Sequence, residues 1–231
     1  MSQAKKRFDD RWQRSRTVFR APRVQIELYG DQDVHETFRD FTARHPRFRF
    51  TSAKRWGVGL VRLPATFDLY LAGRDRQAIR TNRRHADKAG YRYAHVSPEG
   101  YLEDIVDVNR SAPVRQGKPM KDAYVDREQV ARSFAHHERI HAILDGTGHL
   151  RAYAVTLTLG DCVVISMILG HADALEHGVM YLLVSEVVRS TMDARQSDGS
   201  PHWLMYDTFW GAAPGLAYFK QRLGFEPFTV K

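Results

Sequence analysis

Basic residues recur with helical spacing in the segment GRDRQAIRTNRRHADKAGY, residues 73–91. If this segment is a helix, five cations share one face or lie beside it: Arg76, Arg80, Arg83, Arg84 and Lys88. Like charges one turn apart repel by about 0.2–0.5 kcal/mol per pair. Only two acidic residues, Asp75 and Asp87, lie in the segment to offset them. The row therefore predicts an anion-binding surface, with a solvated basic face as the alternative.

The overall charge agrees with such a surface. The 231 residues carry a formal net charge of +8, which favours a polyanionic partner such as nucleic acid or a phosphate-rich ligand. Hydrophobic residues make up 43% of the chain, which excludes wholesale disorder. The single cysteine, Cys162, excludes a multi-cysteine zinc site, and its apolar surroundings predict a buried structural thiol.

The chain contains no apolar run of the roughly 18 residues that a membrane span needs. Its first residues are charged, without the apolar core of a signal peptide. We therefore expect a cytoplasmic protein with no membrane partner. Residues 1–20 are rich in Lys and Arg and are expected to form a basic N-terminal arm, and residues 21–231 a single domain.

The segment HERIH, residues 137–141, matches the zinc-protease pattern H-E-x-x-H. That chemistry requires a helix. The second histidine instead lies in RIHAILDGTG, in which apolar and polar residues alternate as in a strand and which ends in a hairpin turn. Two residues four apart on a strand are separated by about 13 Å, too far for two nitrogens to bind one zinc ion. We therefore expect no metal, and we expect His137 and His141 to face solvent at the start of a strand.

The elements that must position these groups follow from periodicity and from capping residues. Alternation predicts strands at 23–30 and 56–64, a meander from 139 to 170, and later strands at 201–209 and 225–230. Helices are predicted near 33–41, 66–72, 73–91, 97–109, 126–134, 178–193 and 215–223. A polar segment at 111–124 is predicted to be a long functional loop.

The order of meander, helix, strand, helix and strand resembles the Gcn5-related N-acetyltransferase (GNAT) fold. The resemblance implies an α/β fold with a mixed central sheet flanked by helices, here with an N-terminal elaboration. It also implies that a strand matching VISMILG diverges from its neighbour, and that the next helix presents its N-terminus to the donor's phosphates. The donor-phosphate residues would be His177, Gly178 and Val179. The family's usual Q/R-x-x-G-x-G/A loop is replaced by HADALEHGVMY, in which Gly178 alone matches.

A closer resemblance covers about residues 66–228. FDLYLAGRDRQAIRTNRRHADKAGY is similar to the basic helix of the Fem-type peptidyltransferases, and WLMYDTFWGAAPGLAYFKQRLGF to their C-terminal signature. Members of that family form an amide between an amino acid carried by tRNA and an acceptor amine. The resemblance implies that tRNA phosphates bind the basic row. The loop NRSAPVRQGKPM is similar to the family's substrate loop. Its residues Arg115, Gln116 and Lys118 suit an acidic or phosphorylated acceptor, with a solvated loop as the alternative. Asn109, at the end of the preceding helix, would contact the acceptor or only cap that helix.

Two residues of the C-terminal signature are predicted to be catalytic. Lys220 would stabilise the oxyanion or protonate the departing ribose hydroxyl, and Asp207 would orient the acceptor amine or accept its proton. The alternatives are a surface lysine and a turn-capping carboxylate. Tyr206 and Tyr218 are candidate hydrogen-bonding neighbours, with packing as the alternative.

The sequence is compatible with three functions. The first is an aminoacyl-tRNA-dependent transferase that acts on the amine of a small molecule or peptide, with aminoacyl-tRNA as co-substrate and no bound cofactor. The second is an acyl-CoA-dependent N-acyltransferase, in which the thioester is the donor and the basic row serves the nucleotide phosphates. The third is an RNA-binding module without catalysis. The sequence does not indicate an oligomeric state.

Overall fold

The computed structural model describes residues 21–29, 32–44, 56–115, 118–195, 199–209 and 213–231. Its strands are β1 (Arg23–Val24), β2 (Trp56–Arg62), β3 (Arg92–Val96), β4 (Val114–Arg115), β5 (Lys118–Pro119), β6 (Ile140–Leu144), β7 (Leu150–Leu159), β8 (Cys162–Gly170), β9 (Trp203–Thr208) and β10 (Glu226–Val230). Its α-helices are α1 (Gln32–Thr42), α2 (Phe67–Leu71), α3 (Gln77–Lys88), α4 (Leu102–Arg110), α5 (Asp122–Val125), α6 (Arg127–Phe134), α7 (Val179–Asp193) and α8 (Pro214–Arg222). The predicted basic arm, residues 1–20, lies outside the described residues.

Eight strands form one mixed sheet in the order β1-β10-β2-β9-β8-β7-β6-β3. The pairs β1–β10 and β8–β9 are parallel, and the other neighbours in this sheet are antiparallel. Helix α7 makes the crossover between the parallel strands β8 and β9. This topology confirms the predicted GNAT-like mixed sheet flanked by helices.

Alternating residues of the strands feed cores on opposite faces of the sheet. Val163 and Leu204 join the core beneath α3 and α7, whereas Val164 and Met205 join the core beneath α1. A third cluster, beneath α4 and α6, covers the half of the sheet that contains β3 and β6. Cys162 is fully buried in the core beneath α1, as predicted.

Local capping explains where several helices begin. The Thr66 hydroxyl accepts a hydrogen bond from the Leu69 N–H before α2, and the Asp126 carboxylate accepts one from the Gln129 N–H before α6. Pro214 occupies the first turn of α8, where a missing N–H costs nothing.

The structure differs from the predicted elements at several places. Strand β3 was not predicted, because its five residues lie directly between the basic helix and the predicted start of the next helix. The predicted strand at 23–30 shortens to the two residues of β1. The predicted loop at 111–124 instead contains the short hairpin β4–β5 and the single-turn helix α5.

Among the described residues, no helix is both long enough and apolar enough to cross a membrane. No group of three or more His, Cys, Asp or Glu side chains in the described part of the chain is arranged to hold a metal ion.

Candidate functional site

The parallel strands β8 and β9 pair at one end only. Cys162, Val163 and Val164 pair with Trp203, Leu204 and Met205, and no pairing continues beyond Val164 and Met205. The open ends border a cleft of about 340 Å³. Its lining comes from α1, β7, β8 and β9, including residues 164–168 of β8 and residues 206–207 of β9. The divergence predicted for the VISMILG strand is thus observed.

Each diverging strand carries an irregularity where it borders the cleft. In β8, Ser166 is the extra residue between two pairs with β7, Val155–Met167 and Thr156–Ile165. In β9, Tyr206 and Asp207 lie opposite Gly59 alone, because Met205 pairs with Leu60 and Thr208 with Val58. Bulges of this kind redirect side chains and are common beside active sites.

Asp207 has a left-handed backbone, with a φ of 43°. A non-glycine residue in this region is strained by about 1–3 kcal/mol and persists only where its surroundings enforce it. Gly59 provides the space on β2, since a Cβ there would lie 3.1 Å from the Tyr206 carbonyl oxygen. Asp207 lines the cleft, and its predicted catalytic role stays a prediction.

Lys220 enforces the bulge from inside the protein. Its side chain is 1% exposed, and Nζ donates hydrogen bonds to the carbonyl oxygens of Tyr206 at 2.6 Å and Thr208 at 2.9 Å. These two carbonyls flank Asp207 along the chain. Lys220 is not a surface lysine, and it does not line the cleft. Its geometry is that of a positioning residue for Asp207, whereas the predicted contact with a reacting carbonyl stays a prediction.

Burial lowers the pKa of Lys220 to about 8, and the nearby Asp207 carboxylate partly offsets that shift. The ammonium also lies 4.3 Å from the centre of the Tyr206 ring. Burial raises the pKa of Tyr206, so its phenol stays neutral at physiological pH. The bulge therefore brings together the strained carboxylate residue Asp207, the neutral phenol of Tyr206 and, from α8, the Lys220 ammonium of reduced basicity.

Two predicted acceptor residues bond to the protein itself. Asn109 is 1% exposed, donates to the Tyr124 carbonyl at 2.7 Å and accepts from the Tyr153 hydroxyl at 2.7 Å. Arg115 donates to the carbonyls of Val108 and Gly170, which fastens the loop to the end of β8. Both residues hold the loop in place, which corrects the expectation that they reach outward to an acceptor.

The other four predicted acceptor residues are Gln116, Lys118, Tyr206 and Tyr218. Gln116 and the side chain of Lys118 lie outside the described residues. Tyr218 is 59% exposed and borders a different surface depression, together with Arg76 and Arg222. Among the predicted acceptor residues whose side chains the structure describes, Tyr206 alone lines the cleft.

The predicted donor-phosphate site at the N-terminus of α7 is covered. Gly178 has a φ of 80°, and a Cβ there would lie 2.8 Å from Cβ and from the carbonyl oxygen of Asn82 on α3. Gly178 and Val179 are buried, and His177 packs its ring 5.7 Å from each of the rings of His85 and Tyr91. Asn82 of α3 crowds Gly178, and the Gly178 N–H already donates to the Leu175 carbonyl, so Gly178 offers no open anion site, contrary to the expectation.

The predicted basic row divides into bound and exposed cations. Arg83 donates to Glu186 and Ser185 of α7 at 2.5 and 2.6 Å, with a side chain 14% exposed. Arg80 donates to the carbonyls of Leu71 and Gly73. Arg84 and Lys88 are exposed, and Arg76 is half-buried at the end of a 3-10 turn that precedes α3. The continuous row expected from one long helix is therefore reduced to Arg84 and Lys88, with Arg76 turned aside.

A polar cluster near the β3 edge of the sheet was not predicted from the sequence. His141 Nδ1 lies 2.7 Å from the Tyr93 hydroxyl and 3.2 Å from His95 Nε2, and its Nε2 lies 3.1 Å from the Thr156 hydroxyl. His141 is buried, so the expectation that it faces solvent is wrong, and burial lowers its pKa to about 4. The pairing of His95 with His141 depends on β3, which the sequence did not reveal.

Comparisons with known proteins show likeness of fold. No family model matches the sequence, and no curated protein matches it. A conserved protein of unknown function from Bacteroides thetaiotaomicron VPI-5482 superposes with a TM-score of 0.55 at 12% identity, over 75% of this chain and 58% of that structure. FemX gives a TM-score of 0.49 at 12% identity, over 73% and 58% of the two chains. A tandem GNAT protein from the clavulanic acid biosynthesis pathway gives 0.46 at 14% identity, over 74% and 50%. The chain therefore spans only half to 58% of the length of these structures.

Proposed function

We propose that this protein is an aminoacyl-tRNA-dependent transferase that forms an amide between a tRNA-borne amino acid and the amine of a small-molecule or peptide acceptor. The observation that carries the proposal is the relation between α3 and α7. Helix α3 covers the N-terminus of α7, where a nucleotide diphosphate would bind, and presents Arg84 and Lys88 to solvent. This arrangement disfavours a coenzyme A donor and favours a larger polyanion on the outer surface of α3.

The reaction needs little chemical activation from the protein. The amine nitrogen attacks the ester carbonyl, a C–N bond forms, and the C–O bond to the terminal ribose breaks. The ribose hydroxyl leaves with the proton that the amine gives up, so no oxidant, reductant or metal is required. Because the ester is already activated, holding the two reactants in one cleft supplies much of the rate.

Asp207 is the residue that we assign to the acceptor amine. The attacking nitrogen must give up a proton as the amide forms, and Asp207 lines the cleft at the point where β8 and β9 diverge. A strained bulge fixes the direction of that carboxylate, and Lys220 fixes the bulge. A general base of this kind contributes about 10²–10⁴-fold to the rate.

The donor decides between the proposal and its rivals. The purified protein would be incubated with cell extract depleted of nucleic acid, as the source of acceptor, and with either total charged tRNA carrying radiolabelled amino acids or radiolabelled acetyl-CoA. The proposal predicts transfer of label from tRNA to an alkali-stable amide product, abolished when the tRNA is treated with RNase beforehand. Mass spectrometry of the product then identifies the amino acid and the acceptor.

Two results would overturn the proposal. Label transferred from acetyl-CoA and not from tRNA would establish an acyl-CoA-dependent N-acyltransferase. Tight tRNA binding without turnover of either donor, in extracts that support transfer by a known aminoacyl-tRNA-dependent enzyme, would identify an RNA-binding module.

A further inference from the structure

An apolar cavity of about 300 Å³ lies beneath α1, on the sheet face opposite α3 and α7. Its walls include Ile26, Leu28, Leu159 and Met205, and its rim includes the exposed ring of Phe38. This volume is at the lower end of the range for small-ligand sites, which are mostly apolar with few polar groups. The cavity is large enough for a hydrocarbon or aromatic group of a small ligand.

The cavity adjoins the cleft between β8 and β9. Thr37, Phe41 and Val164 line both spaces, so the two lie side by side and share these three side chains as a common border. The two spaces differ in chemistry. The cleft also borders Asp207 and two acidic residues of α1, Glu36 and Asp40, whereas the cavity is lined mainly by hydrocarbon.

We infer that the acceptor is an amphipathic amine whose nitrogen lies beside Asp207 and whose hydrocarbon or aromatic substituent fills the cavity beneath α1. This inference rests on the proposed function, since it names the class of acceptor for the same cleft. The acidic residues favour the ammonium form on entry, and Asp207 then accepts its proton. Each methylene that the cavity removes from water makes the binding free energy of the amine more favourable.

The position of the cavity favours the acceptor over the donor. The exposed cations Arg84 and Lys88 belong to α3, which packs with α7 on one face of the sheet. The cavity opens on the other face, beneath α1. A tRNA that contacts α3 and an acceptor beneath α1 therefore approach the diverging strands from opposite faces.

A series of primary alkylamines from methylamine to octylamine provides the test. With charged tRNA as donor, kcat/KM should rise about fourfold per methylene, then level off when the cavity is full. Amines of equal length that carry a terminal hydroxyl should gain far less. Binding is measured separately without donor, as the rise in melting temperature at a fixed amine concentration, since a ligand that binds only the folded state stabilises it.

A substitution at the cavity wall provides the second arm. Thr42 lines the cavity near the exposed end of α1, so Thr42→Trp places an indole in the cavity with little effect on the core. The matched control is Arg39→Trp, which adds the same side chain to an exposed position of the same helix that lines neither space. Thr42→Trp should abolish the dependence on chain length in both assays, and Arg39→Trp should preserve it.

The outcomes separate the inference from the proposed function. Transfer to amines with no dependence on chain length, together with equal melting temperatures across the series, would overturn the inference and leave the proposed function standing. Chain-length-dependent stabilisation that Thr42→Trp removes, without transfer from charged tRNA to any amine, would retain the cavity as an amine site and overturn the proposed function. Chain-length dependence that survives in Thr42→Trp would place the hydrocarbon elsewhere and overturn the inference.

Discussion

Lys220 and His141 are both buried basic groups whose pKa is lowered by burial, yet they lie in different settings. Lys220 stabilises a strained bulge beside a cleft near the middle of the sheet. His141 lies in a strand one position from the sheet edge, and its polar partners are Tyr93, His95 and Thr156.

The contrast shows what a shifted pKa does and does not indicate. Burial alone shifts both groups, so the shift by itself marks a desolvated side chain. Backbone strain beside an open cleft is an independent sign of function, and the described residues show it at Asp207 and not at His141. We therefore assign chemistry to the bulge and a structural role to the histidine cluster.

The largest expected effect on transfer is that of Asp207→Asn. Removing the carboxylate should lower kcat by about 10²–10⁴-fold, since the amine loses its proton acceptor. The loss should be greater at low pH, where more of the amine is protonated, than at high pH. A pH profile of kcat checks this, with Asp145→Asn in the distant β6–β7 turn as control. A near-normal rate for Asp207→Asn would remove that residue from the mechanism.

Lys220→Met should lower kcat by about 10²-fold, because the carbonyls beside Asp207 lose their donor. Donor affinity should change little, and Lys220→Arg should recover part of the rate if its guanidinium reaches the same carbonyls. If kcat stays normal in a folded Lys220→Met protein, the bulge does not depend on this ammonium.

Lys220 also makes a testable contribution to stability. Its folded pKa of about 8 lies below the ordinary value of 10.5, so between these pH values the unfolded chain binds more protons. The unfolding free energy of the wild type should therefore rise relative to Lys220→Met as pH increases from 8 to 10, by at most about 1.4 kcal/mol per pH unit. Urea denaturation of both proteins at three pH values measures the difference, and parallel curves would contradict the lowered pKa.

The exposed cations of α3 should affect donor binding more modestly. Arg84→Glu combined with Lys88→Glu should weaken tRNA binding about tenfold and reduce its salt dependence, since each lost phosphate contact removes roughly one unit of slope. The control is Arg127→Glu combined with Arg132→Glu, which reverses two exposed charges on α6. Filter binding at several salt concentrations provides the measurement. If tRNA affinity depends on salt equally in the two double variants, the exposed cations of α3 do not bind tRNA and are only solvated.

His141→Gln should have the smallest effect on transfer, with kcat within about twofold of the wild type at pH 8. Its effect should appear in stability, because the folded pKa of about 4 lies below the ordinary 6.5. The wild type should lose unfolding free energy as pH falls from 6.5 to 4, and the variant should lose less, by at most about 1.4 kcal/mol per pH unit. A large fall in kcat at pH 8 would reverse the assignment of the two regions.

The same two regions show which features the sequence predicts. Periodicity predicts most of the sheet, and the Fem-type motif directs attention to Asp207 and Lys220. The bulge at Asp207 is not predictable from local patterns, because it depends on how β9 pairs with Gly59 of β2, far away in the chain. The burial of Lys220 is not predictable from local patterns either. Lysine is rarely buried without partners, and the partners of Lys220 are backbone carbonyls of β9, which only the folded chain brings next to it.

The basic row and the acceptor loop show the limits of charge patterns. Helical spacing places Arg83 among the cations, but only the fold brings Glu186 of α7 next to it. Asn109 and Arg115 have the side chains of binding residues, yet backbone and side-chain acceptors within the chain bind both. Polar side chains in loops often form hydrogen bonds within the protein, and the sequence alone does not distinguish such residues from those that bind a ligand.

Hydrogen exchange with tRNA tests the assignment of function to the bulge most directly. The full chain would be compared with and without saturating total tRNA, with peptide-resolved mass spectrometry as the readout. We expect slower exchange in residues 77–88 and 203–209, and no change in residues 92–96 and 140–144. Protection of the strands that hold His95 and His141, without protection of α3 and β9, would contradict this expectation.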